Sequence, residues 1–180
     1  MLLVVDNGSV YTQSLLNCIE ELNVDFTCHT FDEIANSDFG YSSIILLGRR
    51  KNNSIMNVVN SKLIKHAMRE KKPLLGICYG AEILALTVGG TIKKMNESRY
   101  GIHEIDVIGD NPLCAGQIKV FESHSFKVAT LDSSFKQIAK SINCEFEIFR
   151  LDNQNIFGTQ FHPEMSQDGK DLLSKFVNIQ

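Results

Sequence analysis

The chain has no excess of positive charge. Its 180 residues carry 18 lysines and arginines against 21 aspartates and glutamates, a net charge of −3. Nucleic-acid backbones are bound through a basic stripe, so a nucleic-acid partner is not expected. The one dense basic cluster, GRRKNN at 48–53, is too short to change that. A long apolar run is missing too. Nothing approaches the roughly 18–20 apolar residues that span a bilayer, so no membrane partner is expected. The apolar start, MLLVVDNGSV, meets Asp6 at once and has neither a basic leader nor a cleavage site. It reads as a first strand rather than a secretion signal. The five cysteines (Cys18, Cys28, Cys78, Cys114 and Cys144) are odd in number and show no C-x-x-C spacing. That pattern predicts neither a disulfide framework nor a zinc cage, leaves no metal site in view, and makes a reducing cytoplasm the default location. Repeats, low-complexity tracts and linkers are also lacking, so residues 1–180 are expected to form one domain.

What is present is an alternation of strand and helix signals. LLVVD, VDFTCHT, YSSIILLG and PLLGIC read as strands. Between them, YTQSLLNCIEELN and the stretch from Ser54 to Glu70 carry apolar residues at helical spacing. AEILALTV is a short helix stopped by Gly89-Gly90. Repeated βαβ units predict a parallel sheet covered by helices on both faces. The second half differs: YGIHEIDVIG, QIKVFESH, FEIFRL and NIFGTQFH are strands with turn-like connections, and GKDLLSKFVNI is a closing helix. Added antiparallel strands are expected there. Ligands of such sheets bind beyond the carboxyl ends of the strands. Those ends are Asp6-Asn7-Gly8, Gly48-Arg49-Arg50 and Cys78-Tyr79-Gly80.

Cys78 stands between Gly76 and Gly80 where an apolar strand turns into a helix. This is the pattern of a G-x-S-x-G nucleophile elbow with sulfur in place of oxygen. The helix N-terminus would favour the thiolate. The plain alternative is a buried cysteine at a strand end, the reading that suits Cys18, Cys28 and Cys144, while Cys114 falls in a loop. A nucleophilic cysteine needs a base and an orienter. TQFHPEM supplies His162 and Glu164, two residues apart in a segment expected to be extended, so that both side chains share a face. Taken alone, His-Pro-Glu also suits a surface turn. His29, His66 and His103 look structural or superficial.

Together and in this order, LLGICYGAEILALTVGG and FGTQFHPE resemble the class I glutamine amidotransferases. The resemblance covers nearly the whole chain. It implies a three-layer α/β/α sandwich around a mostly parallel open sheet, flavodoxin-like, with extra antiparallel strands in the C-terminal half. It implies a Cys78–His162–Glu164 triad hydrolysing the side-chain amide of glutamine through a thioester. Gly48 and Tyr79 would supply the oxyanion hole, and Ser123, His124 and Ser125, with Glu82, would meet the substrate. Within the family, VVDNGS-Y, YGIHEIDVI, VFESHSFKV and IFGTQFHPE resemble the glutaminase subunits of GMP synthetases in their separate-chain, archaeal-type form. That implies ammonia delivery to an ATP-pyrophosphatase-type synthetase on another polypeptide. No cofactor would belong to this chain, and ATP and Mg would belong to the partner.

Three positions depart from the family pattern. Ala81-Glu82 stands for His-Gln, Gly48-Arg49-Arg50 for Gly-Gly-Pro, and Phe126 for an acid. Glutamate is acceptor-only when ionised and would repel a substrate carboxylate unless its pKa is raised. The cations Arg49, Arg50 and Lys51 either attract an acidic group or form a solvated loop. Two other readings therefore stay open: a non-catalytic regulatory paralogue that binds a partner, and a Cys-His-Glu hydrolase acting on another amide or γ-glutamyl substrate.

Overall fold

The computed structural model describes residues 1–34 and 40–179. The first half runs β1 (Leu2–Asn7), α1 (Thr12–Glu21), β2 (Phe26–Thr30), α2 (Phe31–Ile34), β3 (Ser43–Arg49), α3 (Ser54–Glu70), β4 (Leu74–Ile77) and α4 (Tyr79–Val88). It continues with β5 (Thr91–Val107), β6 (Gln117–Thr130), β7 (Phe135–Lys140), β8 (Ile148–Leu151), β9 (Ile156–Thr159), a 3₁₀ turn at Pro163–Met165 and α5 (Gln167–Val177). These strands form one sheet in the order β2-β1-β3-β4-β9-β8-β7-β5-β6. Strands β2, β1, β3, β4 and β9 are parallel, and from β9 outward the pairing is antiparallel. The expected α/β architecture with antiparallel additions in the C-terminal half is borne out.

Alternation along each strand divides the core into two layers. Leu2 and Val4 of β1, Ile45 and Leu47 of β3, and Leu75 and Ile77 of β4 pack with α1 and α5. Leu3, Val5, Ile44, Leu46 and Leu74 face the other way, towards α3 and α4. Every one of these side chains is essentially sealed from water. Both faces of the central strands β1, β3 and β4 are therefore buried, which is why they read as unbroken apolar runs, whereas edge strand β2 is only half-buried.

Several features differ from the sequence reading, among them the short helix α2, which went unread. Strand β7, FKQIAK, went unread because its two lysines and glutamine mask a short alternation. Strand β5 begins at Thr91, in a polar stretch that packs against β6 rather than the core. Helix α4 starts at Tyr79, immediately after Cys78. The His162–Glu164 segment is not a strand: His162 is extended, but Pro163 opens a 3₁₀ turn that carries Glu164. Pro at the first turn position needs no N–H, so proline favours this turn.

The β4–α4 junction is sterically tight. A Cβ on Gly76 would lie 2.4 Å from the Gly80 carbonyl oxygen, and a Cβ on Gly80 would lie 2.1 Å from the Leu46 carbonyl oxygen. Both neighbours are backbone and cannot swing aside. Cys78 between them takes φ 54° and ψ −107°, a conformation that costs a non-glycine residue about 1–3 kcal/mol. Gly80→Ala is therefore expected to lower stability by about 3 kcal/mol or more. Gly89→Ala, where φ is 110° but no atom lies within 4 Å, is the comparator and should lose less. Urea midpoints of the two variants check this order.

Candidate active site

The carboxyl ends of β3 and β4 border one cavity, and β1 and β9 end beside them in the sheet. Buried Asn7 ends β1. Its amide donates to the Leu47 carbonyl (3.0 Å) and exchanges hydrogen bonds with Asn60 of α3, which locks the end of β3. Gly48 follows. A Cβ placed on it would lie 3.2 Å from Cε1 of His162 and 3.7 Å from Cβ of Cys78. One glycine therefore borders both candidate catalytic side chains, and any larger residue would push against the imidazole.

His162 is buried, and the residue is held from three sides. Its Nδ1 lies 2.8 Å from Glu164 Oε1. Its backbone N–H donates to the Phe121 carbonyl of β6 (2.8 Å). The Tyr11 ring tilts against it, centroids 4.4 Å apart. The second carboxylate oxygen of Glu164 is buried without a hydrogen bond among the described residues. With Nδ1 committed to the carboxylate, Nε2 is the nitrogen left for proton transfer.

Cys78 caps α4 and is partly exposed. Its carbonyl accepts the N–H groups of Ala81 and Glu82 (both 3.0 Å), while the Tyr79 N–H turns towards the sulfur. Burial raises the thiol pKa well above its ordinary value, and the Glu82 charge adds to the rise; the Tyr79 N–H and Arg49 oppose it. These influences favour the neutral thiol, which reacts only when a base takes its proton.

The cavity over the cysteine measures about 550 Å³, and its walls include Arg49, Tyr79, Glu82, Ser123, His124 and Ser125. All the expected substrate-facing residues thus gather here. Phe126 lines it as well and is exposed. Arg49 is not the solvated side chain that a loop reading allows. Its guanidinium lies 4.2 Å above the Tyr79 ring and donates to Asn52 and Asn57, and Asn57 also accepts from the Tyr79 hydroxyl (2.7 Å). Arg49 keeps a negative φ, so its Cβ brings no left-handed strain. Arg50 and Lys51 are exposed. Glu82 is only 5% exposed. Burial raises its pKa, which Arg49, His124 and the Gln160 amide counter.

The glutamine amidotransferase class-I family matches residues 3–179. The chain belongs to this family. The amidotransferase class of enzyme expected from the motifs is borne out. Among relatives of this amidotransferase, a GMP synthase [glutamine-hydrolyzing] from Escherichia coli is 30% identical over 98% of the chain, and one from Salmonella typhimurium is 29% identical over the same share. The chain spans 36% of the length of each. The crystal structure of a GMP synthase subunit protein from Thermoplasma acidophilum superposes with a TM-score of 0.86 at 28% identity, covering 98% of this chain and 91% of that one. A glutamine amidotransferase from Thermotoga maritima shares the fold, with a TM-score of 0.83 at 17% identity over 99% of this chain and 98% of that one. No helix among the described residues is long and apolar enough to cross a membrane.

Sequence reasoning missed the support beneath the cavity of this amidotransferase. Glu122 of β6 is fully buried. Arg99 of β5 grips it with two bonds (2.7 and 3.2 Å), and His124 Nε2 lies 3.2 Å from it. The His124 Nδ1 lies 2.8 Å from the Phe126 carbonyl, so the ring is fixed at both nitrogens. Burial works against the His124 cation, but these partners and the Glu122 and Glu147 charges outweigh it, and its pKa is raised. Glu147 is also fully buried; Ser141 donates to it (2.7 Å), and its other oxygen has no hydrogen bond among the described residues. Two signals were available: Glu122 and His124 share a strand face, and Glu147 interrupts an apolar run where a charge is rarely buried unpaired.

These buried charges have measurable consequences. Burial, then repulsion from Glu122, raises the Glu147 pKa from its ordinary value to about 7. A carboxyl raised in the folded state binds more protons folded than unfolded, so its contribution to stability falls as pH rises through that window. Glu147→Gln should therefore gain stability relative to the parent at pH values above that raised pKa and lose the advantage below the unfolded glutamate pKa; denaturation midpoints across pH measure it. Separately, Glu82→Gln removes a charge that disfavours the Cys78 thiolate. Iodoacetamide should alkylate Cys78 faster in that variant at a given pH, with the pH profile displaced downwards.

Proposed function

We propose that the chain is a glutaminase, a single amidotransferase domain that hydrolyses the side-chain amide of glutamine and supplies the ammonia to a GMP synthetase on a separate chain. The observation that carries the chemistry is the buried His162–Glu164 pair at 2.8 Å beside the elbow that presents Cys78. His162 Nε2 takes the thiol proton as sulfur attacks the amide carbon. The tetrahedral oxyanion forms near the Tyr79 N–H and the backbone at Gly48. The carbon–nitrogen bond breaks, His162 returns the proton to nitrogen, and ammonia leaves. Water then adds to the γ-glutamyl thioester with His162 as base, releasing glutamate and the thiol. Glu164 orients His162 and stabilises its cation throughout. No cofactor is needed for these steps, and ATP and Mg²⁺ act on the synthetase.

Arg49 and Glu82 account for the altered pocket. They stand in one cavity with opposite charges, one for each end of an amino-acid zwitterion: the guanidinium for the α-carboxylate, the carboxylate for the α-ammonium. Ser123, His124 and Ser125 form the wall against which the substrate backbone lies. The likeness to the Thermoplasma protein supports a separate synthetase, because that chain is matched along 91% of its length.

The test is ammonia release from glutamine, with and without a GMP synthetase, ATP and XMP. Turnover should appear or rise with the partner and vanish in Cys78→Ala. Zero turnover with all components present, while Cys78 still alkylates, would sink the reading. Arg49→Met should raise KM for glutamine about tenfold, corresponding to about 1.4 kcal/mol of lost binding, with a smaller effect on kcat.

A further inference from the structure

A second cavity lies on the β5–β6 hairpin. It measures about 450 Å³, within the usual range of small-molecule sites. Its lining includes the cations Lys93, Lys94, Arg99 and Lys127, with Glu97 as the one acid. That is a concentration of positive charge in a chain whose net charge is −3.

The cavity exists because β5 leaves register with β6. Lys94 pairs with Phe126 and Arg99 with His124, so four residues of β5 bulge over one of β6 and build a wall. Lys93 sits directly opposite Lys127 in the ladder. Like charges facing each other across an antiparallel pair are destabilising. Neither lysine forms an ion pair among the described residues; Lys127 donates instead to the Asn143 carbonyl (2.5 Å). Arg99 is held differently. Its Nε and Nη2 are bound to the buried Glu122 carboxylate, which leaves the Nη1 end of the guanidinium without a partner among the described residues. An arginine fixed by a buried carboxylate presents its free donors with little further loss of side-chain freedom.

Two contacts join this cavity to the one over Cys78. Glu122, which fixes Arg99, also lies at hydrogen-bonding distance from His124, a wall of the cysteine cavity. The Ser98 hydroxyl on the bulge lies 2.7 Å from the Ser125 hydroxyl, another wall of that cavity.

We propose that the hairpin cavity binds a phosphate-bearing small molecule, with Arg99, Lys93 and Lys127 holding the phosphate, and that its occupancy is communicated to the cysteine cavity through Glu122–His124 and Ser98–Ser125. A fixed guanidinium edge flanked by ammonium groups is phosphate chemistry. The concave shape suits a small ligand better than the broad surface a protein partner requires.

Pyrophosphate and a nucleoside triphosphate are the probes, titrated against the full chain at constant ionic strength with sodium chloride as the control. Binding is read by thermal shift and by backbone amide NMR shifts. Arg99 is left unchanged, because removing it would strand the buried Glu122 charge and threaten folding. Lys93→Glu and Lys127→Glu are exposed or half-buried changes and are used instead. A midpoint rise with either probe, amide shifts at 93–99 and 122–127, and at least about tenfold weaker binding in both variants would support the site. No binding, equal binding in the variants, or binding only of an acidic polypeptide would overturn it. The rate of Cys78 alkylation should change on saturation with the probe, and an unchanged rate would overturn the communication. None of these readouts uses glutamine turnover, so failure here is distinct from failure of the glutaminase reading.

Discussion

The meeting of β3, β4 and the first turn of α4 governs the arrangement of the site. With Gly80 against the Leu46 carbonyl and Gly76 against the Gly80 carbonyl, the helix can start only if the intervening backbone turns sharply. Cys78 takes that turn at positive φ, which lifts its side chain off the sheet and places it at the N-terminus of α4. Side chains four apart on a helix lie over one another. Glu82 consequently returns to the side of the cysteine, while Tyr79 reaches Asn57 and carries Arg49 on its ring. Cys78, Glu82 and the Arg49 guanidinium are therefore all placed by the tight backbone packing at this junction.

That placement creates an electrostatic conflict which the surroundings resolve unevenly. Three ionisable groups of negative tendency, Cys78, Glu82 and Glu164, lie close together, and both carboxylates are buried. Glu164 is spent on His162. Glu82 has Arg49, His124 and Gln160 near it, but no hydrogen bond tight enough to cancel the loss of hydration. A buried charge left short of partners costs several kcal/mol. Arg49 is well suited to offset it, because its side chain is already ordered by Tyr79, Asn52 and Asn57 and loses little freedom on doing so. Of these two departures from the family pattern, Arg49 thus helps the fold tolerate Glu82.

How much of this could be read in advance depended on whether a residue announces itself locally. The central parallel strands β1, β3 and β4 did, since burial on both faces leaves uninterrupted apolar runs. Cys78, His162 and Glu164 did, through glycines and a proline at fixed offsets. Strand β7 did not, because a short strand with lysines at its edges has the composition of a loop. The geometry of Glu164 was misjudged for a related reason: spacing by two suggests a shared strand face, but Pro163 turns the chain, and the carboxylate reaches Nδ1 by folding back rather than by alternation. The Arg99–Glu122–His124 network joins two strands through a bulged register. Its residues are 23 positions apart in one pair, so no local pattern could place them together.

Strand β6 then has three roles that constrain one another. Its carbonyl at Phe121 anchors His162, its residues 123–126 wall the cysteine cavity, and its Glu122 fixes the arginine of the hairpin cavity. Hydrogen bonds to charged groups contribute roughly 1.5–3 kcal/mol. Coupling between ligand sites typically amounts to about 1–3 kcal/mol. Redistribution of a single bond at Glu122, from Arg99 towards His124 or back, is thus large enough to carry such a coupling without any movement of the sheet. A longer route is unnecessary, because both cavities draw on the same short stretch of one strand.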